Sequence, residues 1–583
     1  MAERYQVLFW TFVSLTFLTA VGFFILGATV NRFFYLGLLA VVPLGFTGYR
    51  MRLRLVTERL RATFQRLWGR EHERDRDFGR LERAYDLFTR SKPHHNALDD
   101  DTWDDLNMDL VYGKADRTHT LPGESVLYRT LRCPETQEAP LAERNRLVRL
   151  FQSDPALREA VGAELLRLGQ PRHTDVAALL WGERPVKPPY SVFFPVLAAA
   201  PALLACAGWV SWPGFLILGT FPLFVLNVVI TQCLVRGKVY SQISALRYLG
   251  AMIARAQALG KLKHPQLAGI TDELSRLSAK LAPIARRTSI LRPEQGLSVD
   301  ICDTLAEYAS ALFLIEVRTF FGVLDALEHN LGPLRRLHEL LGRLDAAQSV
   351  ASLREELPGY SDPEFTAGDG VGLELVHVRH PLLSEPVTNS FKPAPGGAFI
   401  SGSNMSGKST FLRTVAVNAI LGQTLYTCCA SRYHASFFRI LSSINHADEL
   451  DEGKSYYLAE AERLLYIVQA VGGDVPCLCV VDELLRGTNA AERTSASAAI
   501  LAHLCSQNAL VLVASHDAEL ASVVTGAMEH YHFTDHFDDG RLRFDYRLKP
   551  GRGTTRNAIK LLESLGYPAS VVEEARARFD GMG

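Results

Sequence analysis

Charge of one sign is what this chain lacks. Its 62 Lys and Arg stand against 63 Asp and Glu, a net charge of −1, and the pI is near 7.0. No bulk field therefore draws it to nucleic acid or to an acidic surface. Zinc-site spacing is missing as well. The nine cysteines include Cys428-Cys429 and Cys477-Leu478-Cys479, and none has the paired spacing that holds zinc. Cys477 and Cys479 alternate on an apolar run, the pattern of reduced core thiols, which suits a reducing compartment. Charge is wholly absent from four long stretches, so the 48% hydrophobic content is unevenly placed.

Val7 to Val30 is 24 residues without a charge, and Phe33 to Tyr49 is a second such run of 17. The first is long enough to cross a hydrocarbon core of roughly 30 Å. It exceeds the apolar core of a secretory signal, and another run follows at once, so a helical hairpin is the better reading. Tyr190 to Val210 and Gly214 to Val235 form a second charge-free pair, with Trp209 and Trp212 near the junction. The competing reading is buried core helices, and Pro195, Pro201 and Pro222 weaken each span. Arg50, Arg52, Arg54, Arg59, Arg61, Arg66 and Arg70 follow the first pair, and Arg236 and Lys238 the second. By the positive-inside rule both hairpins begin and end in the cytoplasm. The arginine run suits anionic headgroups or DNA phosphates, and its place beside a span favours lipid.

Residues 402–409 read Gly-Ser-Asn-Met-Ser-Gly-Lys-Ser, which fits the phosphate-binding loop at every fixed position. A strand-like Ala398-Phe399-Ile400 precedes it and a helical Phe411 to Val415 follows. The glycines let backbone N–H groups close on phosphate oxygens; Lys408 neutralises them, and Ser409 offers a hydroxyl to Mg²⁺. Val475 to Glu483 reads as a buried strand ending in two carboxylates, 74 residues from Lys408 to Asp482. Asp482 is expected to hold Mg²⁺ and Glu483 to act as general base. His516, after the strand-like Leu510 to Ala514, is placed to reach the γ-phosphate.

Gly402-Ser403-Asn404-Met405-Ser406-Gly407-Lys408-Ser409-Thr410 resembles the loop of the MutS family of ATPases, within the ABC class. Its Asn-Met pair is not required by a generic phosphate loop. Asp482-Glu483-Leu484-Leu485-Arg486-Gly487-Thr488 is similar to the family's D-E-x-G-R-G-T. Ala514-Ser515-His516-Asp517-Ala518-Glu519-Leu520 is similar to its A-T-H-x-x-E-L. Arg379-His380-Pro381 resembles the start of the domain, and Asp448-Glu449-Leu450 through Ser455 and Glu460 its signature stretch. The resemblance implies that Ser455 acts in trans on the partner subunit's nucleotide, within a homodimer. Upstream, Asp116-Arg117-Thr118-His119-Thr120-Leu121-Pro122-Gly123 resembles the start of the MutS core. Departures are Leu485 where the family has glycine, Asn489 for serine, Glu492-Arg493 for Asp-Gly, and Val387 near an adenine-packing aromatic.

The expected fold is an α/β P-loop ATPase domain of ABC type, an all-α MutS-like core and lever region, and four transmembrane helices. The expected organisation is hairpin 1–49, basic linker 50–95, core 96–185, hairpin 190–235, levers and core 236–356, and ATPase domain 357–583. No Phe-x-Glu stands in the first 130 residues, where mismatch-sensing relatives carry an aromatic wedge. The implied protein is an ATP- and Mg²⁺-dependent ATPase anchored in the cytoplasmic membrane by several spans. Its output is either DNA association without sequence specificity or mechanical work on a membrane or an unknown protein partner.

Overall fold

A computed structural model of the chain describes residues 2–71, 73–92, 94–183, 189–210, 220–234, 240–289, 309–366, 370–403, 405–444, 456–485, 489–524, 526–538, 541–553, 562–563 and 566–580. Helix α1, Ala2–Thr29, turns at Asn31, whose side chain accepts the Phe33 N–H at 3.0 Å. A 3₁₀ turn, Arg32–Ala40, feeds α2, Val41–Leu67. Tyr5–Thr29 and Arg32–Leu67 are long and apolar enough to cross a membrane, and their apolar windows are 0% and 6% buried.

The lower half of α2 changes character. Leu55 and Phe64 are buried, while Arg50, Arg52, Arg54, Arg59, Arg61 and Arg66 stay in solvent. Phe64 docks on α8 (Pro155–Leu168), where Gly162 leaves it room: a Cβ there would sit 2.2 Å from the ring. Arg158 covers the Trp68 ring at 4.4 Å, and the Gly69 N–H donates to Ser352 Oγ at 3.0 Å. A helix with membrane-spanning composition thus continues directly into the protein core.

That core is all-α. It contains α3 (Phe78–Ser91), α4 (Asp100–Asp105), α5 (Met108–Ala115), α6 (Leu121–Arg132), α7 (Glu138–Ser153), α8 and α9 (Val176–Trp181). Helices Tyr240–Leu259, Ala268–Thr288, Ile315–Glu328 and Leu331–Glu356 complete it. Thr120 caps α6 by accepting the Gly123 N–H at 3.0 Å, with Pro122 in the first turn, where a missing N–H costs nothing. Asp345, on the long helix Leu331–Glu356, accepts the Thr120 N–H at 2.8 Å and ties that helix to the turn before α6. Residues 290–308, within the expected lever and core stretch, lie outside the described residues.

His338 is buried on the long helix, 5.2 Å from the Trp181 ring. Burial pushes it down to about 4; Glu339 opposes this and Arg129 adds to it. A histidine held neutral in the fold contributes stability above about 6.5, and that contribution is lost as pH falls toward about 4, because the unfolded chain takes the proton first. Urea unfolding of native chain and His338→Gln across this range should show the native chain's advantage shrinking by about 3 kcal/mol. An unchanged difference would mean that the imidazole is already protonated in the fold.

The second charge-free pair differs from expectation. It forms α10 (Phe194–Val210), 17 residues, and the helix Thr220–Leu234, 15 residues. At 1.5 Å per residue these reach about 26 and 23 Å, short of a hydrocarbon core of roughly 30 Å. Four transmembrane helices therefore become two of spanning length among the described residues. The physical reason is partial service in the core. Phe194 and Ala198 are buried, Phe194 meets Phe321 at 5.9 Å, and Asn227 Nδ2 donates to the Leu197 and Leu312 carbonyls at 3.1 and 2.7 Å. The other face remains open, with Val192, Phe193, Val196 and Phe221 exposed. Gly214 to Gly219 and Val235 lie outside the described residues.

After Glu356 the chain turns α/β. Strands β1 (Pro363–Phe365), β2 (Leu373–Val378) and β3 (Asn389–Phe391) join β5 (Arg432–Ala435) in a sheet of order β1-β5-β2-β3. Strands β4 (Gly397–Ser401), β6 (Arg439–Ser443), β7 (Cys477–Asp482), β8 (Ala509–Ala514), β9 (Glu529–Asp538) and β10 (Arg541–Pro550) make the main sheet, ordered β10-β9-β4-β8-β7-β6. All its neighbours run parallel except β9 and β10. Strands β7 and β8 are buried at every position, as expected for a sheet covered on both faces. Cys428, Cys429, Cys477 and Cys479 are free, buried thiols.

Candidate nucleotide-binding site

The parallel register sets the site. Ile400 of β4 and Asp482 of β7 both lie beside Ala514 of β8, so three strands end at one edge of the sheet, where such folds place ligands. The phosphate loop leaves β4, and the helix Lys408–Leu425 starts at Lys408. Gly402 has φ +153° and Gly407 φ +102°, conformations that favour glycine. Met405 is also left-handed, at φ +71°.

Lys408 is buried, and its Nζ donates to the Gly402 and Ser403 carbonyls at 2.8 and 3.0 Å. The buried hydroxyls of Ser403 and Ser406 have no hydrogen-bond partner among the described residues. A loop with unsatisfied hydroxyls around a cationic amine fits a phosphate. Ser409 Oγ donates to Asp482 Oδ2, which places the two expected Mg²⁺ ligands in contact. Thr410 lines the same cavity of about 680 Å³.

Glu483 follows Asp482 in the left-handed region, at φ +53°, and its N–H donates to the Ala514 carbonyl at 2.8 Å. That turn aims the carboxylate across the strand ends, where Oε1 lies 2.8 Å from His516 Nδ1. Glu483 is largely buried and His516 mostly exposed. Left-handed non-glycine residues are costly and gather at working sites. Here Met405, Glu483 and Tyr546 all line the cavity.

Leu485, where the resemblance has glycine, has φ +56°. The position therefore asks for glycine, and leucine pays roughly 1–2 kcal/mol of backbone strain. Its side chain is buried in a second apolar cluster, and burial on the order of 1.5–3 kcal/mol offsets that. Its N–H donates to the buried Glu460 carboxylate on the helix Tyr456–Ala470. Arg493, another departure, pairs with Asp517 at 3.3 Å. His380 lines the cavity, and burial, then Arg413, pushes it down to about 4, so it is neutral at neutral pH. Asn404, the signature stretch from Asp448 through Ser455, and Arg486 to Thr488 lie outside the described residues.

Sequence reasoning missed Tyr546. The β9–β10 register shifts between Phe544 and Leu548, and Tyr546 sits in that irregularity at φ +52°. Asn389 holds it there, donating to the Tyr546 carbonyl at 3.1 Å and accepting the Leu548 N–H at 2.8 Å. Its ring lies so near the loop that a Cβ on Gly407 would be 3.2 Å away. The one sequence signal is the alternation of Phe544 and Tyr546; the bend that turns the ring inward belongs to the strand pairing. Val387 lines the cavity as an aliphatic residue, so Tyr546 supplies an aromatic face that position 387 does not.

A phosphate loop on the central strand of a parallel sheet, with a serine, two carboxylates and a histidine at neighbouring strand ends, defines a P-loop α/β domain. Residues 398–582 match the family model for MutS domain V. The chain is 25% identical to a DNA mismatch repair protein MutS of Thermus thermophilus over 521 residues, 82% of this chain and 61% of that protein. Against MutS of Thermus aquaticus it is 29% identical over 271 residues, 46% and 33% of the two chains. Against DNA mismatch repair protein MutS 2 of Haloarcula marismortui it is 28% identical over 304 residues, 47% and 31%. These matches support a member of the MutS family. The chain spans about three fifths of the length of the Thermus thermophilus relative.

Proposed function

We propose that this protein is a membrane-anchored MutS-like ATPase in which ATP binding closes a homodimer and hydrolysis reopens it. The observation that carries the reading is the convergence of Lys408, Ser409, Asp482 and Glu483 on one cavity, with His516 hydrogen-bonded to Glu483. Lys408 and the loop N–H groups hold the phosphates. Ser409 and Asp482 would hold Mg²⁺, which when bound neutralises phosphate oxygens. Glu483, oriented by His516, accepts a proton from water as the water oxygen bonds to the γ-phosphorus. The bond from that phosphorus to the β,γ-bridging oxygen breaks, and ADP and phosphate leave. Ser455 contributes from the partner subunit. Tyr546 stacks on the base. Tyr546→Ala is expected to raise the KM for ATP by about 2- to 10-fold with kcat kept; steady-state kinetics reads this, and an unchanged KM removes the stacking role.

The motion has a route out of the site. Arg354, on the long helix Leu331–Glu356, donates to Thr427 Oγ1 at 3.0 Å and the Tyr426 carbonyl at 2.8 Å, just beyond the phosphate-loop helix. The same helix receives Gly69 at the foot of α2. Nucleotide-driven movement would thereby reach the cytoplasmic-membrane hairpin. The names of the relatives favour DNA as the output, without a mismatch wedge. The exposed apolar faces of α1, α2 and α10 favour the second reading, a mechanical or scaffold ATPase acting on a membrane or protein partner.

ATP turnover by the full chain in lipid nanodiscs, with and without duplex and branched DNA, separates them, with Lys408→Ala as the blank. Stimulation that fades with salt supports DNA association, because phosphate contacts release counterions. Turnover indifferent to every DNA supports the membrane or protein partner. Turnover unchanged in Lys408→Ala overturns the ATPase assignment.

A further inference from the structure

A second cavity, about 660 Å³, opens in the helical core between α6, α7 and the long helix Leu331–Glu356. It nearly equals the nucleotide cavity of about 680 Å³. Its lining is cationic. Lys92, Arg129, Arg144, Arg335, Arg336 and Arg343 face Glu135, Glu143 and Glu339. Each carboxylate is already engaged: Glu339 with Arg129, Glu135 with Arg144 at 3.1 Å, and Glu143 with Arg343 at 2.6 Å. Arg336 reaches Glu273 outside the lining at 2.8 Å, and Arg335 Nε donates to the Leu180 carbonyl at 2.9 Å.

The cations feel one another. Burial holds Arg144 below its ordinary value and Glu135 opposes this, while Arg343 and Arg129 lower it further. Aromatic rings share the wall: Arg129 lies over Phe88 at 3.9 Å, and Phe88 meets Trp181 edge-on at 6.1 Å. Guanidinium forks match phosphate oxygens and aromatic walls match a planar ring. We infer that this cavity is a second ligand site, for an organic phosphate of nucleotide size.

The site's position gives such a ligand a consequence. Arg144 donates to the Thr424 carbonyl in the last turn of the helix Lys408–Leu425, and the Glu135 N–H donates to the Gln423 carbonyl at 2.9 Å. Leu425 lines the cavity itself. The ligand would sit at the opposite end of the helix that begins at the phosphate loop, about 27 Å away along its axis. An anion that draws on Arg144 would compete with that cap.

The test is calorimetric titration of full-length Lys408→Ala chain in neutral-lipid nanodiscs, which silences the first site, with ATP, GTP and inorganic tripolyphosphate as probes. One equivalent of a nucleoside triphosphate per chain is expected, weakened at least about 10-fold by Arg336→Gln with Arg343→Gln. Arg129→Lys, which keeps the charge and alters the fork, should weaken it less. Equal binding of tripolyphosphate and nucleotides would support the anion site and assign its contacts to phosphate alone. Failure of every probe to bind, or equal affinity in the folded double variant, overturns the proposal. The Arg336→Gln with Arg343→Gln comparison locates the bound equivalent in this cavity whether or not the ATPase reading holds.

Discussion

Glu483→Gln is expected to bind ATP as the native chain does and to lose about 100- to 10,000-fold in turnover, the range removed with a general base. The amide keeps the size of the carboxylate and a partner for His516 Nδ1, 2.8 Å away in the native chain. The left-handed backbone at φ +53° and the N–H bond to Ala514 do not depend on the side chain's charge. Lys408, Ser409 and Asp482 are untouched, so affinity is preserved. What is lost is the ability to take a proton. Binding by calorimetry and phosphate release by a coupled assay read the two halves separately. Hydrolysis at the native rate would remove Glu483 from the base's role, and loss of binding would make the residue structural.

Asp116→Ala should cost about 3–5 kcal/mol of stability, the penalty for leaving buried cations without their anion. Asp116 is fully buried beneath Arg74 and Arg76, pairs with Arg76 Nε at 3.1 Å, and accepts the Thr118 hydroxyl at 2.7 Å. Burial alone would raise its pKa; Arg74, Thr118 and Arg76 overcome burial and hold it below the ordinary 3.8. A carboxylate so depressed contributes its stability above about 3.8 and loses it only as pH falls through the lower folded value, so the full effect is present at neutral pH. Both arginines sit on the segment that leads from α2 into the core. Urea unfolding measures the loss, and proteolysis between Arg70 and Phe78 should quicken. A native midpoint in Asp116→Ala would show that Arg74 and Arg76 find water or other anions at little cost.

Much of the candidate nucleotide site was legible as a motif because its residues are contiguous in sequence. A phosphate loop must have its glycines and lysine at fixed offsets, and Asp482 with Glu483 must end an apolar strand. Tyr546 was not legible, since its place depends on a register shift between two strands and on Asn389 from a third. The second charge-free pair was misread as spanning for a related reason. Freedom from charge reports low polarity, and a bilayer and a protein core impose that same pattern. Only packing shows that Phe194 and Ala198 face Phe321 and its neighbours.

By itself the sequence determined the local chemistry: the phosphate loop, the carboxylate pair and the long apolar run at the amino end. Each depends on neighbours within a few residues. Tertiary structure alone decided that α2 runs on into the core through Phe64 and Gly162, that Asp116 gathers Arg74 and Arg76, and that six cations line one cavity. Those arrangements join residues distant in the chain. Their energies arise from burial and charge proximity, which exist only once the helices have packed.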